Sequence, residues 1–457
     1  MSAAQLIIAI AGYASLAIAA GYSLIALAAA MAWRTYASRP RPTPAMQPPV
    51  TVLKPLCGAE PGLYELLRSF CLQDYAQFQI VFGTQDAADP ALAVVALTAV
   101  LAWRRYVARS RYIVTAQPPV TVLKPLCGEE PGLYEHLRSF CLQDYAQYQI
   151  VFGTLDAADP ALATVARLTQ EFPDLAIDVV VNPQRHGHNN KSSNLINMLG
   201  LARHPLLLIA DSDISVNRDY LAAVTAPLSD PGVGLVTCLS HDAPTPRVWS
   251  RLGAMYVNEW YFPSVMLAWL FGHQGYASGQ TLCLRRTTLD AIGGLRGLVD
   301  HLADDYQLGQ LIRALGLRIV LSPYEIQAEH HEPDLAALTR HEIRWMRTLH
   351  IVRPMSFRMI FLTFSLALAV MGLLLTTEAR WHRLAWVLFG VTALARLGVH
   401  FLRRLSCGRP LLQDVLLVPV RDLLTCCIWC WSFFARRISW RGHEFDVDST
   451  GVMRRVA

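Results

Sequence analysis

The chain has 457 residues, 53% of them hydrophobic and 16% charged, with a net charge of +5. That length allows two or three units, and the apolar share exceeds what a water-soluble domain needs, so part of the chain is built for a bilayer. The positive excess sits in arginines beside apolar runs (Arg34, Arg39, Arg41, Arg403, Arg404, Arg436, Arg437, Arg441), which removes any need for a nucleic-acid partner. Of the ten cysteines, Cys57 and Cys71 recur as Cys127 and Cys141, and Cys426, Cys427 and Cys430 lie in an apolar run, so the set suggests neither a disulfide framework nor a zinc cluster.

The first element, 6–33, carries no charge. As a helix it would be about 40 Å long, enough to cross a hydrocarbon core of about 30 Å. It is too long for a removable signal and reads as an anchor over 1–34. The arginines after it place the central part of the chain on the cytoplasmic side by the positive-inside rule.

Next comes a repeat. The stretch 48–93, opening PPVTVLKPLCG, returns at 118–163 with four differences (Ala59/Glu129, Leu66/His136, Phe78/Tyr148, Gln85/Leu155). The second copy runs on into a polar-faced helix and a strand, whereas the first runs into VVALTAVLAWRRY, similar to the end of the anchor. Residues 35–117 are therefore expected to be an orphaned duplicate. The uncharged run 90–103 would be about 21 Å long as a helix, too short to cross, and is expected on a surface or interface.

From 118 to 355 the pattern alternates. Strands are expected at 121–124 (TVLK), 149–153 (QIVFG), 177–181 (IDVVV) and 206–211 (LLLIAD), with helices at 131–142, 160–172 and 193–202. Short apolar strands separated by helices predict an α/β domain with a mostly parallel sheet covered on both faces. In such sheets ligands collect at the carboxyl ends of the strands. Two strand ends carry acids: Asp156 and Asp159 in GTLDAADP, and Asp211 and Asp213 in ADSDI. Residues two apart on an extended chain share a side, so Asp211 and Asp213 can converge on one hard cation, magnesium or manganese, with positions left for phosphate oxygens.

Asp304 and Asp305 stand before an apolar helix at 308–315; taken alone, such a pair would cap that helix. In TRHEIRWMRTLH, His341, Arg344 and Trp345 share one helical face. Arginine can grip a diphosphate with two donors and tryptophan offers a flat surface to a sugar or lipid head, though such a helix could also simply rest on a membrane. His186, His188 and the run His330, His331, Glu332 read as loops beside a site. Further apolar runs at 359–377, 384–402 (with Arg396) and 415–434 follow, giving transmembrane or re-entrant helices over 356–437 and a cytoplasmic tail over 438–457. Arg421 and Asp422 would be costly in lipid, so the last run is expected to tilt, re-enter or pack that pair against protein.

Read together, VTVLKPLCGEEPGLYEHLRSF, NNKSSNLINML, ADSDI, SGQTLCLRRTTLDAIGGL, LADDYQLG, RHEIRW and SWRGHEF resemble the ceramide glucosyltransferase family (glycosyltransferase family 21), and within it the bacterial hopanoid-associated members. The resemblance implies a GT-A-type nucleotide-sugar-binding domain at 118–355 in the inner membrane, active site to the cytoplasm. It implies an inverting transfer from a UDP-sugar, UDP-N-acetylglucosamine or UDP-glucose, to a lipid hydroxyl such as a hopanoid polyol. Carried over by position, Asp156 and Asp159 meet the uracil end and Lys191 lies near the nucleotide. Asp211 and Asp213 hold metal and diphosphate, Asp305 is the base beside Asp304, and Arg344 and Trp345 close over diphosphate and acceptor. His341 departs from the family, which usually has Gln or Arg there. The alternatives are a ceramide or other glycolipid transferase, a processive polysaccharide synthase, or a scaffold disabled by its duplication.

Overall fold

The computed structural model describes residues 3–37, 50–55, 78–83, 117–270, 277–376, 382–410, 412–434, 438–440, 443–448 and 451–455. In the first repeat copy, β1 (Val50–Pro55) and β2 (Phe78–Gly83) pair in parallel as a two-stranded sheet of their own. The second copy repeats that register: β3 (Val120–Pro125) sets Val120 opposite Tyr148 of β4 (Tyr148–Thr154), as Val50 is set opposite Phe78. Among the described residues, only the second pair has joined a larger sheet. The run at 90–103 lies outside the described residues.

That larger sheet adds β5 (Ala176–Val181), β6 (Leu206–Ala210), β7 (Ile214–Ser215), β8 (Val233–Pro244), β9 (Thr281–Arg285) and β10 (Arg318–His330), in the order β5-β4-β3-β6-β9-β8-β10-β7. Strands β5, β4, β3 and β6 are mutually parallel, as are β8 and β10. Two strands depart from the parallel pattern: β9 runs back between β6 and β8, and β7 returns along β10. The reversal of β9 brings the segment before it, 278–280, to the edge where β6 and β8 end. Alternation along the strands separates two apolar layers. Val120, Val122, Ile150 and Leu208 face one, and Leu123, Val151, Leu207 and Ile209 face the other. The expected short helix at 193–202 starts earlier, as Asn190–Leu199, because the Asn189 side chain accepts from the Ser192 amide and caps it.

Among the described residues two helices are long and apolar enough to cross a bilayer, Ile8–Arg34 and His382–Ser406. The run expected as one span at 359–377 is instead a pair, Pro354–Thr363 and Ser365–Leu375, bent by 63°. Phe364 leaves helical geometry at the bend (φ −81°, ψ 66°), and Thr363 is held there by the Trp260 indole at 3.0 Å. Glycines bring the first helix against the pair: a Cβ on Gly372 would lie 2.7 Å from the Gly12 carbonyl oxygen. The last run forms Leu417–Ser432, about 24 Å at roughly 1.5 Å per residue, short of a crossing. Its apolar side chains, Val420, Leu423 and Trp431, point outward, and Arg421, Asp422 and Thr425 point in.

The inward charges are matched. Arg396 makes a two-pronged contact with Asp422 and reaches Glu259 at 2.9 Å, and His400 takes the other Glu259 oxygen at 2.8 Å. Arg403 pairs with Glu325 of β10 at 3.0 Å, and the Trp33 indole donates to the same carboxylate. Arg404 and Arg251 share Asp414. These pairs hold the end of His382–Ser406 against the α/β domain, so that helix end lies on the domain's side. Arg396→Met would strand the buried Asp422 and leave Glu259 with His400 alone, and removing one partner of a buried pair costs about 3–5 kcal/mol. A lowered thermal midpoint of the purified protein in detergent is the expected result.

Candidate active site

A cavity of about 1370 Å³ opens at the carboxyl edge of the sheet and is lined by Asp156, Asp159, Lys191, Asp211, Asp213, Asp304, Asp305, His341, Arg344 and Trp345. Every site residue expected from the sequence therefore faces one space, although the residues come from several separate segments. The same cavity is also lined by the apolar side chains of Trp260, Val265, Ala268, Met359 and Ile360, the last two from the bent pair Pro354–Thr363 and Ser365–Leu375.

Each side chain is placed by local chemistry. Asp156 is exposed on the loop after β4, where its Oδ1 accepts from the Ala158 amide at 2.9 Å. Asp159 is buried, and both its oxygens are engaged by the amides of Gly128 and Ala161 and the Thr154 hydroxyl. Asp159 thus ties the β3 and β4 loops together, while Asp156 stays accessible. Lys191 sits in the first turn of Asn190–Leu199 and pairs with Asp211 Oδ1 at 2.5 Å. Its Nζ also donates to the Gly279 carbonyl at 3.1 Å, and the Gly279 amide donates to Asp305 Oδ2 at 2.9 Å. Gly279 lies so close that a Cβ there would sit 3.2 Å from Asp305 Oδ2 and 3.5 Å from the Lys191 ammonium.

Burial opposes the charge on Lys191, but Asp211, Asp304 and Asp305 outweigh it and hold the ammonium above its usual range. Asp213 is pushed up to about 7, by burial first and then by Asp211 and Glu130. Its Oδ1 is buried with no hydrogen-bond partner among the described residues. An unpaired oxygen in a site crowded with acids, beside a second carboxylate, fits a hard divalent cation. Among the described residues no three acidic, histidine or cysteine side chains gather as a ready-made cage, so the protein itself offers the two aspartates. Asp304 and Asp305 open the helix Asp304–Ala314. Asp304 takes the Ser192 hydroxyl at 3.2 Å and Asp305 the Tyr306 amide at 2.7 Å. Burial and then Asp304 push Asp305 up to about 6, against the lowering effect of Lys191.

On the opposite wall the helix Leu335–Val352 presents His341, Arg344 and Trp345 to the cavity. His341 Nδ1 meets the buried Glu332 at 2.8 Å, and its ring leans on Trp345 with centroids 4.2 Å apart. Trp345 stacks on Tyr256 at 5.6 Å.

Sequence reasoning missed Lys124, Glu130, Tyr256 and Phe445. Lys124 is fully buried at the end of β3, its Nζ 3.6 Å from the Phe140 ring centre and donating to the Asp211 carbonyl at 2.5 Å. Burial lowers it to about 7 despite Asp211 and Asp213. A lysine inside an apolar strand was the available signal. Phe445 reaches the cavity from the tail, where β12 (His443–Val447) pairs with β11 (Ile438–Trp440) and β13 (Met453–Arg455). The Met453 amide donates to the Asp300 carbonyl at 2.7 Å, so the tail braces the segment that leads into Asp304 and Asp305.

Residues 13–109 and 96–453 each match the family model described as glycosyl transferase family 21. Ceramide glucosyltransferase 1 of Caenorhabditis elegans is 25% identical over 243 residues, 52% of this chain and 51% of that protein. Ceramide glucosyltransferase 3 of the same organism is 25% identical over 236 residues, half of each chain. The matches thus span about half the length of these curated relatives. Among solved structures, a mannosyltransferase from Pyrobaculum calidifontis in complex with GDP-Man and Mn2+ overlaps 70% of this chain and 89% of its own, at 22% identity and a TM-score of 0.41.

The carboxyl of Asp305 should titrate near pH 6, protonated below and ionised above. Asp304→Asn removes the neighbouring negative charge and should move that transition to lower pH. Infrared difference spectra of the carboxyl band, with Asp305→Asn as the blank, test both.

Proposed function

Because the chain belongs to glycosyl transferase family 21, we propose that it is a membrane-bound inverting glycosyltransferase that moves a sugar from a UDP-sugar to a lipid hydroxyl. One observation carries this reading: a single cavity is lined both by the acids at the sheet edge and by apolar side chains, among them Met359 and Ile360 of the bent apolar helix pair. A water-soluble donor and a lipid acceptor need such a two-sided space. The α/β domain is of the GT-A type, and its active site faces the cytoplasm. The family resemblance favours a hopanoid polyol as acceptor and UDP-N-acetylglucosamine, with UDP-glucose next, as donor.

In this scheme Asp156 meets the uracil end of the donor, Asp159 shapes the loop beneath it, and Lys191 lies against the diphosphate. Asp211 and Asp213 would hold a magnesium or manganese ion, which when bound offsets negative charge on the diphosphate. Arg344 adds a second positive group with two donors. Trp345 covers the sugar or lipid head and helps exclude water, and His341 fixes Trp345 from its other side.

Asp305 takes the proton of the acceptor hydroxyl. The freed oxygen pair forms a bond to the anomeric carbon as the carbon–diphosphate bond breaks, and UDP leaves with that electron pair. One displacement inverts the sugar, and no covalent enzyme intermediate is needed. With its carboxyl raised to about 6, Asp305 is ionised at neutral pH yet basic enough to accept a proton.

The duplicated segment stands outside this scheme, and we assign 118–355 the catalysis. Purified membranes incubated with labelled UDP-N-acetylglucosamine or UDP-glucose and a lipid panel, with mass spectrometry of products, should yield a glycosylated lipid. Asp305→Asn should cut transfer by about 10²–10⁴-fold while UDP still binds. Asp213→Ala and metal chelation should each weaken UDP binding as well as transfer. If all three leave transfer untouched, the scheme fails. A chain lacking 48–117 should keep its melting temperature and transfer at least as fast as the full chain; loss of folding on deletion would show that the first copy is structural.

A further inference from the structure

The helix Leu417–Ser432 packs on the cavity wall with Leu424, Ile428 and Trp429, and it also sends a buried arginine toward that wall. Arg421 is fully buried, and its two terminal nitrogens meet the two oxygens of Glu342 at 2.7 and 2.8 Å. Its Nε donates to Thr425 Oγ1 at 3.0 Å, and Nη1 also reaches the Leu252 carbonyl at 3.3 Å. The guanidinium carbon lies 5.5 Å from the centre of the Tyr256 ring. Glu342 stands one residue after His341 and three before Trp345, and Tyr256 is the ring on which Trp345 stacks.

Arg421 therefore holds both supports of Trp345: the helical turn that carries it and the aromatic floor beneath it. A planar guanidinium gripping a carboxylate with two parallel bonds fixes orientation as well as distance, which a lysine cannot do. Its burial has a second consequence. Among the described residues Glu342 is the carboxylate that neutralises it at contact distance, so the helix cannot rotate about its axis without breaking the pair.

We infer that Arg421 and Glu342 are a positioning pair, by which a lipid-facing helix sets Trp345, and with it the acceptor side of the cavity, in its working place. The pair acts through Trp345 and does not itself touch substrate. This inference rests on the proposed transfer reaction. It predicts that the outward apolar face of Leu417–Ser432 seats the helix in the lipid surface while the inward arginine sets the site, so the catalytic wall is in register only when both are satisfied.

The test uses the full chain in lipid nanodiscs, labelled UDP-N-acetylglucosamine and UDP-glucose as donors, extracted membrane lipid as acceptor, and labelled UDP for binding. Glu342→Gln and Arg421→Lys should lower sugar incorporation at saturating donor by about tenfold to a hundredfold, the scale of a small misplacement in a site. UDP affinity should fall by a smaller factor than the rate, since of the groups assigned to the donor only Arg344 rides on this turn, while Asp156 and Lys191 stand on other elements. The exchanged pair, Glu342→Arg with Arg421→Glu, should restore most of the lost rate. If Glu342→Gln does not fold, Arg421→Lys keeps the charge and carries the test alone. Rates unchanged in the folded variants, or rate and UDP affinity falling by equal factors without rescue by the exchange, would overturn the pair's role. Asp305→Asn separates the two ideas: if it abolishes transfer while the pair variants run normally, only this inference fails. If it transfers sugar at the unaltered rate, the functional reading fails with it.

Discussion

Four acidic side chains converge on the open edge of this sheet, and Lys191 is what allows them to do so. Two like charges 4 Å apart repel by about 4 kcal/mol even at an effective dielectric of 20. Lys191 answers this by touching Asp211 directly and by reaching Asp305 through Gly279, whose carbonyl takes the ammonium and whose amide meets the carboxylate. A side chain at 279 would crowd Asp305, its Cβ 3.2 Å from Oδ2, while only touching the Lys191 ammonium, which gives the glycine in SGQTL a concrete reason. Asp304 is held by the Ser192 hydroxyl, whereas Asp213 keeps a buried oxygen with no hydrogen-bond partner among the described residues. The lysine thus balances Asp211 and Asp305 directly or through Gly279, and leaves the raised carboxyl of Asp213 to burial and its acidic neighbours.

The same logic of paired charge extends into the membrane half. Arg396, Arg403, Arg404 and Arg421 are all buried, and each faces a carboxylate from a different part of the chain: Asp422 and Glu259, Glu325, Asp414, and Glu342. Glu259 and Glu342 belong to the elements that also supply Trp260, Tyr256 and Trp345 to the cavity. The cavity wall and the membrane helices are consequently one packed body. Trp345 stands where these two halves are locked together. This arrangement also explains how Leu417–Ser432 keeps its charges without a crossing. Its ion pairs lie toward protein, and only its apolar side is left for lipid.

Much of this was legible in the sequence because strand ends advertise themselves. The runs QIVFG and LLLIA are apolar, short and followed at once by acids, so Asp156, Asp211 and Asp213 could be placed on one edge from alternation alone. Asp305 and Trp345 needed the family resemblance, since by themselves they read as a helix cap and an interfacial aromatic. Partners from distant segments could not be read. Nothing in the sequence links Arg421 to Glu342 or Arg396 to Glu259, because such pairs are set by tertiary packing over 79 and 137 positions. The bend at Phe364 was equally hidden, for the run contains no proline or charge at that point and breaks where the Trp260 indole holds Thr363. The sequence predicts only a cytoplasmic tail over 438–457, yet its strands brace Asp300 to Leu302.

The duplication is where local sequence is least informative and packing decides most. Both copies form the same parallel pair in the same register, Val50 on Phe78 and Val120 on Tyr148, so nothing within the repeat chooses between them. The choice is made by the residues downstream of each copy. In the second copy β4 is continued through a helix into β5, which pairs with it, and β6 then closes on the other side of β3 with Val120 opposite Leu206. The first copy is succeeded by residues resembling the end of the anchor, a sequence that encodes no such neighbours. A βαβ unit buries both of its sheet edges only when flanking strands arrive from the same chain. A single β5 and a single β6 are encoded, and the copy nearest to them in sequence closes the shorter loops at lower entropic cost. Placement in the catalytic sheet is therefore decided by adjacency rather than by composition, which is why two nearly identical segments have different fates in one chain.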